Sequence, residues 1–179
     1  ASDIWQNKLD NLTKPWIALI VGGSTRRRTF TSCMAKELAS WASTIANKSG
    51  GSLLIATSRR TGNAGKVLVE SITAPCNFFL WDKENTNSNP YHGFLGLADT
   101  IIVTGDSTSM CSEACGGTKP VYIYAPQTLI TEKHNLLHQE LFDKGYARPL
   151  TEKVFYEQWE HPPLNSSKII AQEIIKRLK

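Results

Sequence analysis

The sequence predicts a Rossmann-like, doubly wound α/β domain: a parallel sheet of five or more strands with helices on both faces. Short apolar runs alternate with stretches of helical periodicity, and several runs stop at turns rich in glycine or hydroxyls. Size agrees, since 179 residues that are 41% hydrophobic and 20% charged suit one compact core. We therefore expect one domain over residues 1–179, with no linker dividing it.

The run at 17–21 ends in Gly22 and Gly23, and residues 31–46 then carry Leu38, Trp41 and Ile45 at helical spacing. That reads as strand, glycine turn, helix. A second strand at 52–56 closes on the basic, hydroxyl-rich segment 57–61, with a helix expected from about 64 to 71. Residues 77–81 make the third strand and include Phe79, Leu80 and Trp81. The Asn-rich stretch 82–89 reads as an exposed loop, before a short helix that Pro90 can start. Strand four, at 100–104, gives way to Gly105, Asp106 and three hydroxyl residues, then to a helix that runs through Ala114 and stops at Gly116 and Gly117. Strand five follows at 121–124. Residues 132–144 put Leu136, Leu137 and Leu141 on one side of a helix that ends at Gly145, and 167–178 form a last amphipathic helix.

Composition excludes several classes. No apolar run approaches the roughly 20 residues a membrane-spanning helix needs, so we expect no transmembrane segment. The first residues, Ala1, Ser2 and Asp3, show neither an initiator Met nor a basic-then-apolar signal, which suggests a piece of a longer chain. Four cysteines without a Cys-x-x-Cys pair suggest reduced thiols in a cytoplasmic compartment. The net charge of +4 is modest, and aromatics are not interleaved with basic residues, so nucleic acid is not an expected partner.

In a doubly wound sheet, ligands bind beyond the carboxyl ends of the strands, where strand order reverses. The loops after strands one, two and four therefore carry the candidate site. After strand one, Gly22, Gly23, Ser24 and Thr25 permit close approach of a phosphate, and Arg26, Arg27 and Arg28 are expected where the helix begins. Cations there oppose the helix dipole unless an anion is bound; the alternative is a solvated basic turn. After strand two, Arg59 and Arg60, flanked by Ser58 and Thr61, offer planar donors to a diphosphate without a metal, or form a plain surface pair. After strand four, Asp106, Ser107, Thr108, Ser109 and Met110 open a helix in which Glu113 could accept ribose hydroxyls or stand as an ordinary exposed glutamate. Asp106 reads as a helix cap rather than a catalytic base. His134 and His138 have metal-ligand spacing without the zinc-protease pattern, so no metal is expected, and Cys111 and Cys115 read as core packing. Phe78, Phe79, Leu80 and Trp81 read mainly as buried strand, although Trp81 at its end could border a base.

The strings VGGSTRRRTF, ATSRRT, NPYHGFLGLADTIIVTGDSTSMCSEACGGTKPVYIY and EKHNLLHQELFDKGYARPL resemble the mitochondrial-fission-factor (elongated mitochondria) family of plants and its bacterial relatives. The resemblance covers nearly the whole chain. It implies the carboxyl-terminal domain of a glycosyltransferase-B fold, which holds a nucleotide-diphosphate sugar, here of uridine or guanosine. In that pattern Ser107, Thr108 and Ser109 would meet the diphosphate, Glu113 the ribose, the turn at Gly22, Gly23 and Ser24 the phosphates, and the stretch from Phe79 to Trp81 the base. Relatives carry a further amino-terminal domain, absent from this chain, that would supply the catalytic base. No residue here is assigned a catalytic role, no cofactor is expected, and the isolated domain is expected to be inactive. The resemblance equally implies a recruitment protein, as the plant family is thought to bring a dynamin-like GTPase to mitochondria, with basic loops meeting anionic lipid or an acidic partner. The Gly-x-x-Gly-x-x-Gly and Tyr-x-x-x-Lys motifs of short-chain epimerases are absent.

Overall fold

In the computed structural model, residues 9–83 and 89–165 are described. Among them, six strands form one parallel sheet in the order β3-β2-β1-β4-β5-β6: β1 (Trp16–Val21), β2 (Ser52–Thr57), β3 (Cys76–Phe79), β4 (Thr100–Thr104), β5 (Val121–Tyr124) and β6 (Arg148–Pro149). The chain winds outward from β1 to β3, returns to lay β4 on the free side of β1, and winds outward again. The reversal of strand order thus falls between β1 and β4.

Strands β1, β2, β4 and β5 are buried along their whole length, as strands covered on both faces must be. Alternate residues feed two cores. Ile17, Leu19 and Val21 pack under α1 (Ser32–Ser49) and α2 (Ala64–Glu70). Ala18 and Ile20 pack under α3 (Tyr91–Leu97), α4 (Thr108–Ala114) and α5 (Glu132–Asp143) through Phe94, Cys111, Ala114 and Leu141. This two-sided burial makes the domain doubly wound.

Four sequence expectations change. Helix α1 starts at Ser32, where the Thr31 side chain accepts a hydrogen bond from Met34 N, so Arg26, Arg27 and Arg28 lie in the exposed loop before the helix and do not oppose its dipole. Strand β3 stops at Phe79, leaving Leu80 and Trp81 in the loop beyond it, and it is not buried as expected: it lies at the edge of the sheet with Phe78 51% exposed. Leu136 is 66% exposed, because α5 turns Leu141 and His138 inward instead. The two-residue strand β6 was not anticipated; its residues are exposed and carry no apolar pattern. The expected helix at 167–178 lies outside the described residues, as does most of the 82–89 loop.

Candidate functional site

The loops after β1, β2 and β4 meet at the carboxyl edge of the sheet, and backbone geometry explains why. Gly22 N donates to Thr104 Oγ1 at 2.8 Å, tying β1 to the end of β4. Gly23 has φ of 123° and lies against the Arg60 backbone, where a Cβ would overlap the carbonyl, so glycine is required on both counts. Ser24 N donates to Arg60 O at 2.9 Å. Three of the loop hydroxyls brace this scaffold. Ser58 Oγ donates to Gly22 O, Thr61 Oγ1 donates to Gly22 O at 2.8 Å, and Ser24 Oγ accepts from Phe30 N. Thr25 Oγ1 is buried without a hydrogen-bond partner among the described residues.

Asp106 is not the helix cap. Ser107 caps α4 through Met110 N, while the Asp106 side chain is wholly buried beneath Gly22, where a Cβ would overlap its carboxylate. Its Oδ2 lies 2.9 Å from Arg60 Nη2, and neither carboxylate oxygen accepts a hydrogen bond among the described residues. The contact is one of charge with charge. A carboxylate has no donor to offer a phosphate, so Asp106 contributes by holding Arg60 across the three loops. Arg59 is exposed beside it, as are Arg26, Arg27 and Arg28 in the neighbouring loop.

On the other side of β4, Thr108, Ser109, Ser112, Glu113, Lys133 and Leu137 line a hollow of about 500 Å³. Glu113 is exposed, and its Oε2 accepts a 2.7 Å hydrogen bond from Tyr91 OH of α3. Burial, and then the bond to Glu113, push the Tyr91 hydroxyl well above the usual phenol range, so it remains a donor. At the far side of the sheet edge, Trp81 N donates to Thr57 Oγ1 at 2.8 Å, which fixes the start of the loop that follows β3.

The paired histidines act within the fold. His134 Nδ1 accepts from Thr131 N and completes a capping box for α5. His138 is buried against Gly105, its Nε2 3.8 Å from Cys111 Sγ. Burial, followed by the neighbouring His134, lowers His138 to about 4, and burial raises the Cys111 thiol. Both groups are therefore neutral at physiological pH, and the pair lacks the thiolate a cysteine nucleophile requires. Cys111 and Cys115 are core residues, as the sequence suggests. Among the described residues no group of three or more His, Cys, Asp or Glu side chains is gathered to hold a metal ion. No helix among them is long and apolar enough to cross a membrane.

Comparison with known proteins fixes the family. A family described as Mitochondrial fission ELM1 matches residues 1–178. The chain belongs to that family. It is 34% identical over 165 residues to uncharacterized protein RP120 of Rickettsia prowazekii (strain Madrid E), a match spanning 91% of this chain and 46% of that protein. It is 25% identical over 179 residues to mitochondrial fission protein ELM1 of Arabidopsis thaliana, covering 99% of this chain and 41% of the relative. The chain thus spans less than half the length of these relatives. Among solved structures, MurG of Acinetobacter baumannii is similar, with a TM-score of 0.49 and 12% identity over 93% of this chain and 44% of that one.

Proposed function

We propose that this chain is the donor-binding domain of a glycosyltransferase-like protein, holding a uridine or guanosine diphosphate sugar at the carboxyl edge of the sheet. The observation that carries the reading is the division of chemistry across the β1–β4 switch point. Exposed Arg59 and the loop of Arg26, Arg27 and Arg28 lie on one side, and exposed Glu113 with the hydroxyls of Thr108 and Ser109 lies on the other. A nucleoside diphosphate has the matching polarity: anionic oxygens for guanidinium donors, and a vicinal diol for a carboxylate. Helix α4 has only 7 residues, so its dipole adds little and the side chains carry the argument. A guanidinium on the departing diphosphate would supply electrostatic stabilisation, with the acceptor base drawn from elsewhere in the protein.

Calorimetric titration with uridine and guanosine diphosphates tests this. Saturable binding by the native chain, weakened roughly tenfold by Arg59→Ala and by Glu113→Ala, is the expected result. Absence of heat with either nucleotide at millimolar concentration would overturn it.

A second reading is favoured by Asp106. Its buried carboxylate engages Arg60 inside the cradle and removes one cation from any phosphate. The Arabidopsis relative, moreover, is named for mitochondrial fission. On that reading the fold persists as an interaction module, and the remaining exposed arginines face an acidic partner or anionic lipid.

A further inference from the structure

We infer that Tyr91 is a positioning residue that sets Glu113 to receive a ribose diol, making the site selective for ribonucleotides over deoxyribonucleotides. The inference deepens the donor-binding reading and rests on it.

An exposed glutamate ordinarily samples many rotamers, and fixing one costs side-chain entropy. Here Tyr91 OH holds Oε2 at 2.7 Å, a distance short enough for a charge-assisted O–H···O⁻ bond. Oε1 has no hydrogen-bond partner among the described residues. Tyr91 is itself anchored. Its amide donates to Asn89 Oδ1 at 3.0 Å, its ring packs edge-on to His92 with centroids 4.9 Å apart, and it lies against the core cluster that contains Phe94 and Cys111.

The stability return on this arrangement is small, because a bond between a half-buried phenol and an exposed carboxylate competes with water. Its effect is preorganisation: the carboxylate stands ready beside the hollow lined by Thr108 and Ser109, one oxygen held and one open. Oε1 and the remaining lone-pair site of Oε2 can accept two adjacent hydroxyls together, and a sugar lacking the 2′-hydroxyl forfeits one of those bonds. The phenol reaches the ligand only through Glu113. It is therefore a specificity element and not a catalytic residue.

The test is titration of the native chain, Tyr91→Phe and Glu113→Gln with uridine and guanosine diphosphates and their 2′-deoxy counterparts, with melting temperatures measured alongside. The native chain is expected to prefer the ribonucleotide roughly tenfold. Tyr91→Phe keeps the ring and its packing, so it should narrow that preference to below about threefold by weakening only the ribonucleotide, with an unchanged melting temperature. Glu113→Gln should abolish the preference. If the native chain discriminates and Tyr91→Phe discriminates equally, the positioning role is overturned while the donor reading stands. Equal binding of both sugars by the native chain also overturns it. Absence of binding by either nucleotide class overturns the donor reading and this inference with it.

Discussion

Two carboxylates seven residues apart, Asp106 and Glu113, show how the loop after β4 divides its work. Asp106 is wholly buried, lies against Gly22 and faces Arg60, so its charge ties three loops together. Glu113 is exposed, faces Tyr91 and borders an open hollow, so its charge is presented outward. The same chemical group is structural in one place and available for recognition in the other. Burial and the kind of partner decide which: a cation compensates a desolvated charge, whereas a neutral hydroxyl only orients a solvated one.

The strongest way to break this contrast is Arg60→Ala, which leaves Asp106 buried and unpaired. We expect a loss of about 3 kcal/mol in a denaturant melt, with most of it recovered in the double variant Arg60→Ala/Asp106→Asn. A sum of single effects in the double variant would deny the coupling. Gly22→Ala presses a methyl group into the same carboxylate and should cost about 2 kcal/mol, read as a lowered melting temperature.

His138 sharpens the comparison through pH, since it packs against Gly105, next to Asp106. Its folded value is lowered from 6.5 to about 4 by burial, so between those values the unfolded chain binds a proton that the folded chain does not. Stability should therefore fall as pH drops from 6.5 towards 4, by on the order of 2 kcal/mol, and His138→Gln should flatten that slope in pH-dependent melts. The smallest expected change is in Glu113→Gln, which should leave stability within about 0.5 kcal/mol while affecting ligand binding. A large loss of stability there would place Glu113 in the same class as Asp106.

Much of the fold was legible in the sequence because its strands are buried on both faces. The apolar runs that became β1, β4 and β5 needed no tertiary information, and glycines marked the turn after β1. What stayed hidden depends on contacts distant in sequence or on helix phase. The arginines at 26–28 resemble a helix start, but the side chain that caps α1 is Thr31. Leu136 fits an apolar stripe until His138, a polar residue, takes a core position and shifts the face. The loops at the carboxyl edge of the sheet were legible in the sequence; the pairings of Arg60 with Asp106 and Tyr91 with Glu113, 46 and 22 positions apart, leave no local signature. Sequence located the residues, and three-dimensional contact separated those that brace the edge from those that face outward.

Cys33 gives the carboxyl edge of the sheet a practical handle. It is exposed at the start of α1, near the loop of Arg26, Arg27 and Arg28, while Cys76 is partly covered and Cys111 and Cys115 are buried. Burial also raises the last two thiols, Cys115 to about 12, and raises Cys76. A thiol-reactive fluorophore should therefore attach at a single native position beside the basic loop, giving an optical probe of the proposed site without an engineered cysteine.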